Sequence, residues 1–124
     1  MSLMLQENLI ERISGLDTLC NLRQINLSDN MICKIEGLGN LPVLDTIQLK
    51  RNRIGRGGGL EDVLGLLECP TLNCVDISEN YIEDEAILTE VWAKMPNILV
   101  IYMQGNGCTK KIKAYRKTVI STLP

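Results

Sequence analysis

Apolar residues recur along the chain in a pattern that ends each time in asparagine. Counted from its first residue, each copy has apolar residues at positions one, four and six and asparagine at position nine. Full copies begin at Leu22, Leu44, Leu72 and Ile98, and a shortened copy begins at Leu3. Because apolar and polar residues alternate around positions four and six, each copy predicts a short strand with one apolar face.

The asparagine of each copy falls where the chain is expected to turn out of its strand. Its side-chain amide can donate to backbone carbonyls that the turn leaves unpaired, and the asparagines are therefore predicted to form a ladder between coils. The predicted ladder consists of Asn8, Asn30, Asn52, Asn80 and Asn106, spaced by 22, 22, 28 and 26 residues.

Between the strands, apolar residues recur at intervals of three, as in Ile32, Ile35, Leu38 and Leu41. This spacing suits a 3-10 or short helical return on the opposite side of the coil. In the two longer copies, residues 60–67 and 88–95 have helical spacing, which predicts α-helical turns. Residues 109–123 have one apolar face and predict a capping helix.

The whole chain, residues 1–124, is predicted to form a single α/β domain, because one coil cannot bury its own apolar face and stacked coils can. This is a leucine-rich repeat solenoid of about five repeats with a partial C-terminal cap. Parallel strands form the concave face, and 3-10 and α-helical returns form the convex face. Since the first repeat begins part-way and the cap stops early, we expect an excerpt of a longer protein that could self-associate through its uncapped ends.

The net charge of −2 conceals an asymmetry between the body and the end of the chain. Residues 1–107 carry 15 acidic and 8 basic side chains, a net −7, whereas residues 108–124 carry five basic ones. We interpret the basic end as the solvated face of a terminal helix. Contact with an acidic protein surface or with RNA is the alternative.

Residues that could perform catalysis or bind a metal are scarce in this sequence. The chain has no histidine, and its five cysteines include no CxxC pair, which indicates reduced structural thiols and a cytoplasmic location. The glycine-rich run at residues 55–59 lacks the ending of a phosphate-binding loop, and the acidic run at 79–85 lacks calcium-site spacing. The sequence therefore predicts no enzyme, no metal and no cofactor.

The concave side of the sheet is the predicted binding surface, and a protein is the predicted partner. Its candidate residues are Gln24, Asn26, Ser28, Gln48, Lys50, Asp76, Ser78, Tyr102 and Gln104. Tyr102 is the main anchor candidate, because interface hot spots favour aromatic residues. The face lacks the stacking aromatics and dense positive charge that RNA requires, and no apolar stretch is long enough to cross a membrane. We therefore predict neither nucleic-acid nor membrane binding.

Three stretches, residues 67–78, 82–88 and 95–118, carry a family resemblance. The most specific runs from Met95-Pro96-Asn97 through Gly105-Asn106 to an Ile-x-x-Tyr-Arg cap. The chain resembles leucine-rich repeat proteins of the 22-residue type, and among them the axonemal dynein assembly factors, although Gly107 stands where that family usually has proline.

The resemblance implies a non-catalytic scaffold for preassembly of axonemal dynein arms in the cytoplasm of a ciliated or flagellated cell. It also implies dynein subunits or other assembly factors as partners. Alternatives are a phosphatase regulatory subunit, an RNA-binding protein similar to the spliceosomal leucine-rich repeat protein, and another ciliary or cytoskeletal adaptor.

Overall fold

Five short parallel strands form one sheet in chain order. A computed structural model of the protein describes residues 2–16, 18–57, 59–84 and 86–108. The strands are β1 (Ser2–Met4), β2 (Gln24–Asn26), β3 (Thr46–Gln48), β4 (Cys74–Asp76) and β5 (Val100–Tyr102). Equivalent residues of successive copies are paired, so that Ile25 aligns with Ile47 and Ile47 with Val75. The predicted solenoid of stacked parallel strands is confirmed.

The apolar positions of the repeat form one continuous core. Among the described residues, Leu22, Leu44 and Leu72 at position one of the first three full copies are completely buried, as are Ile47 and Val75 at position four. At the C-terminal end, Trp92 is also buried and its indole N–H points to the sulfur of Met103 at 3.3 Å. Each coil therefore buries its apolar face against its neighbours, which stabilises the stack.

Asn30, Asn52, Asn80 and Asn106 connect neighbouring coils, both as hydrogen-bond donors and as acceptors. Asn8, which was predicted to belong to the same ladder, instead donates to the carbonyls of Leu5 and Gln6 in its own coil. The Nδ2 of Asn52 donates to the carbonyl of Leu49 in its own coil at 3.0 Å and to that of Leu27 in the preceding coil at 2.9 Å. Its Oδ1 accepts the backbone N–H of Ile32 at 3.1 Å. Asn30 and Asn80 make the same set of contacts. The acceptor half of this arrangement was not foreseen from the sequence.

The convex returns differ in part from the prediction. In the first long return, the expected α-helical turns are replaced by two 3-10 segments, Gly59–Asp62 and Leu64–Glu68. The second long return has one α-helical turn, Ile87–Glu90, followed by a 3-10 turn, Trp92–Lys94. In the first two coils, the described returns are turns and bends without an assigned helix.

Close stacking of backbones accompanies the 3-10 geometry of the first long return. A Cβ at Gly65 would lie 1.9 Å from the carbonyl oxygen of Ile35 in the preceding coil. The backbones of these two coils therefore approach each other more closely than any side chain at position 65 would allow. A 3-10 segment repeats every three residues, which matches the spacing of the buried Val63 and Leu66.

The predicted capping helix at residues 109–123 lies outside the described residues. Within the part of the chain that the structure describes, no helix has the length and apolar character needed to cross a bilayer.

Candidate functional site

Side chains that alternate with the buried positions of β1–β5 form the concave face. Strand register places them in rows that run across the sheet. One row contains Asn26, Gln48, Asp76 and Tyr102, and a second contains Gln24, Thr46, Cys74 and Val100. Adjacent residues in a row are separated by one strand spacing, about 4.8 Å. A partner lying across the sheet can therefore contact several repeats at once.

Most of the candidate binding residues are accessible on this face. Gln24, Gln48, Tyr102 and Gln104 are exposed, whereas Asn26, Ser28, Lys50 and Asp76 are partly buried.

The prediction that Ser78 faces a partner is wrong, because this residue is completely buried. It is a small residue between the longer side chains of Lys50 and Gln104 at the equivalent positions of the neighbouring coils, and this placement accounts for its burial. Within the described residues, its Oγ has no hydrogen-bond partner.

An ion-pair ladder borders the face along the residues that precede the asparagines. Asp29, Arg51 and Glu79 have positive φ angles of 58°, 56° and 53° in consecutive coils. The guanidinium of Arg51 contacts Asp29 through two nitrogens and Glu79 through Nη1 at 3.3 Å, and Lys50 lies 3.7 Å from the same Glu79 oxygen. The hydrogen bond from Arg51 lowers the pKa of Asp29.

This ladder was not predicted from the sequence, although the residues before the three central asparagines, Asp29, Arg51 and Glu79, alternate in charge. The ladder uses both nearby cations, Lys50 and Arg51, for contacts within the protein.

The C-terminal side of the concave face combines negative charge with exposed apolar surface. Asp76 is partly buried beside Tyr102, whose side chain is 47% exposed, and Val100 and Leu99 are also exposed. Asp45 precedes β3 and its Oδ1 accepts a 2.8 Å hydrogen bond from the hydroxyl of Thr46. No ion pair to Asp45 or Asp76 occurs in the described part of the chain. Asp45 and Leu99 were not predicted from the sequence, because both stand at position two of their copies, outside the positions expected to face the concave side.

The thiols of Cys69 and Cys74 lie in environments that disfavour the reactive thiolate form. Burial raises the pKa of Cys69, and burial together with the charges of Asp76 and Asp45 raises that of Cys74. All five thiols are free, and no group of three or more potential metal-ligating side chains occurs among residues 2–16, 18–57, 59–84 and 86–108.

Short parallel strands, asparagine-linked coils and a polar concave sheet together define a leucine-rich repeat solenoid. The sequence profile of the family described as leucine-rich repeat matches residues 2–124, and the chain belongs to that family. The fold and the family are typical of non-catalytic scaffolds that bind proteins.

Two similar proteins are a leucine-rich repeat-containing protein and a dynein axonemal assembly factor homolog. The chain is 34% identical over 65 residues to the leucine-rich repeat-containing protein ODA7 of Chlamydomonas reinhardtii, which covers 52% of this chain and 15% of that protein. It is 38% identical over 55 residues to the dynein axonemal assembly factor 1 homolog of Drosophila pseudoobscura pseudoobscura, covering 44% of this chain and 3% of the relative. The match thus spans a small part of each relative.

Among solved structures, the chain is similar to one from the Drosophila melanogaster SNF/U2A′ complex. The two agree with a TM-score of 0.79 at 28% sequence identity, over 99% of this chain and 68% of the other. This similarity extends the family assignment to the level of three-dimensional structure.

Proposed function

We propose that this chain is a non-catalytic, protein-binding scaffold that takes part in cytoplasmic preassembly of axonemal dynein arms for cilia or flagella. The observation that carries the proposal is the similarity to ODA7 and dynein axonemal assembly factor 1 over about half of the chain. Dynein subunits or other assembly factors are the proposed partners. Neither nucleic acid nor a membrane is part of the proposal.

The concave face is the proposed binding surface. It presents exposed glutamines in β2 and β3 together with one exposed tyrosine in β5, and its register aligns them across the sheet. An array of polar side chains with an aromatic anchor suits a protein partner, because aromatic side chains bury much apolar area at low entropic cost.

A capture experiment tests this proposal. The protein is used as bait in cytoplasm from cells that are regrowing cilia, and the bound proteins are identified by mass spectrometry. A triple variant, Gln48→Ala, Asp76→Asn and Tyr102→Ala, probes the concave face, and asparagine at position 76 keeps the hydrogen bond to the backbone N–H of Ser78. Tyr81→Ala is the matched control, because Tyr81 is also 47% exposed but lies outside the concave rows and stacks against Arg56 at 5.6 Å.

Capture of dynein chains or assembly factors by the wild type and the control, but not by the triple variant, is the expected result. Capture of a phosphatase catalytic subunit would instead favour a phosphatase regulatory subunit, which shares the 22-residue period, and other cytoskeletal proteins would favour a different adaptor. Equal capture of dynein chains by the triple variant would place the binding surface outside the concave face.

A further inference from the structure

The C-terminal part of the concave face has chemistry that the fold does not require. We call this part the acidic–apolar subsite. Its members are Asp45, Cys74, Asp76, Val100 and Tyr102. Strand register places Asp76 beside Tyr102 and Cys74 beside Val100, so the carboxylate and the apolar side chains are immediate neighbours.

A comparison of two coils separates structural from additional chemistry at Asp76. In β4, the Oδ1 of Asp76 accepts the backbone N–H of Ser78 at 3.0 Å. In β2, the Oδ1 of Asn26 accepts the backbone N–H of Ser28 at the same distance. A neutral amide therefore makes the hydrogen bond that the turn needs. The negative charge of Asp76 is additional to the requirements of the fold.

Ser28 and Ser78, at equivalent positions of the same two coils, differ in their hydrogen bonding. The Oγ of Ser28 accepts the backbone N–H of Lys50 at 3.2 Å, which uses its acceptor capacity inside the protein. The Oγ of Ser78 is buried and unpartnered within the described residues, two positions from Asp76 on the concave side of the same chain segment. Buried hydroxyls are normally hydrogen-bonded, so Ser78 is an exception among the described residues of this coil.

Asp45 and Asp76 supply the two carboxylates of the subsite. Lys50 and Arg51 are engaged by the ion-pair ladder, and no ion pair joins Asp45 or Asp76 to a cation of the described chain. Burial, together with the charges of Asp76 and Asp45, raises the pKa of the Cys74 thiol, so both carboxylates lie close to it. Because Cys74 pairs with Val100 and Asp76 with Tyr102 in strand register, the carboxylates are also close to the apolar side chains of β5.

We propose that the acidic–apolar subsite binds a segment of a protein partner in which a lysine or arginine stands next to a large apolar residue. The cation completes the charge balance at the two carboxylates, and the apolar side chain packs on Tyr102 and Val100. Charge complementarity sets the position of the segment, and apolar burial supplies much of the affinity. This inference rests on the proposed protein-binding role of the concave face.

Peptide selection tests the inference with a defined probe. A phage-displayed library of random peptides of about twelve residues is selected on the immobilised protein, a length sufficient to cross several strands at the strand spacing. Enriched peptides are synthesised with a fluorescent label, and their affinity is measured by anisotropy. We expect enrichment of lysine or arginine adjacent to tryptophan, phenylalanine or leucine.

Two substitutions and their controls assign the binding to the subsite. Asp76→Asn and Tyr102→Ala should each weaken the enriched peptides about tenfold, which corresponds to about 1.4 kcal/mol. Asp76→Asn keeps the hydrogen bond that Asn26 makes in β2, so its fold should be unchanged, and Trp92 fluorescence checks this. Tyr81→Ala and Glu61→Gln, on other surfaces, should leave affinity unchanged.

The outcomes separate this inference from the broader proposal. Peptides that lack the basic–apolar pattern but lose affinity in Gln48→Ala would overturn the inference and keep the concave face as the binding surface. Peptides unaffected by every concave variant would contradict both. Unchanged affinity in Asp76→Asn, or no enrichment at all, would overturn the inference.

Discussion

Removal of Asn52 tests how much the asparagine connections contribute to the stability of the stack. In Asn52→Ala, the buried N–H of Ile32 loses its acceptor. The carbonyls of Leu27 and Leu49 each lose one donor but retain another, from Asn30 and Asn80 respectively. An unsatisfied buried donor costs about 1–3 kcal/mol, and the retained donors limit any further loss. We therefore expect the free energy of unfolding to fall by about 1–3 kcal/mol.

Asn8→Ala is the matched control. Asn8 is exposed, and its Nδ2 donates to two carbonyls of its own coil, those of Leu5 and Gln6. The expected loss there is within about 0.5 kcal/mol, as for most exposed substitutions. Urea unfolding followed by the fluorescence of the single, buried tryptophan measures both variants. Equal unfolding free energies for the two variants would refute the reasoning.

The remaining predictions concern packing and charge. Gly65→Ala should cost about 3 kcal/mol or more because the new Cβ meets the backbone oxygen of Ile35, whereas Gly57→Ala, with open space around it, should be close to neutral in the same urea assay. The Asp29–Arg51 pair should make wild type more stable than Asp29→Asn at neutral pH. Because the pKa of Asp29 is lowered below 3.8, this advantage should disappear as the pH falls through the lowered value; a constant difference down to that pH would contradict the ion-pair assignment.

Much of the fold could be predicted because the repeat couples sequence position directly to environment. Alternation of apolar residues determines which side of each strand is buried, and four equivalent copies set the strand register, as Ile25, Ile47 and Val75 show. The detailed geometry of the longer returns depended instead on contacts between coils. Gly65 and Ile35 lie thirty positions apart in the sequence, so their close contact could not be predicted from a local helical pattern.

The candidate site could be predicted in outline but not in detail. Repeat position correctly placed Gln48 and Tyr102 on the exposed side of the sheet. It could not show that Ser78 is buried between neighbouring coils, nor that Arg51 joins carboxylates of two other coils. Each of these properties depends on side chains brought together across the sheet, not on one strand alone.

Site-specific photocrosslinking tests the central claim, that the concave face holds the protein partner, most directly. A photoreactive phenylalanine derivative replaces Tyr102 in one variant and Tyr81 in another, two positions of equal exposure on different surfaces. After illumination in cytoplasm from cells regrowing cilia, the account predicts crosslinks from position 102 to a dynein subunit or assembly factor and none from position 81. Crosslinks to that partner from position 81 alone would contradict it.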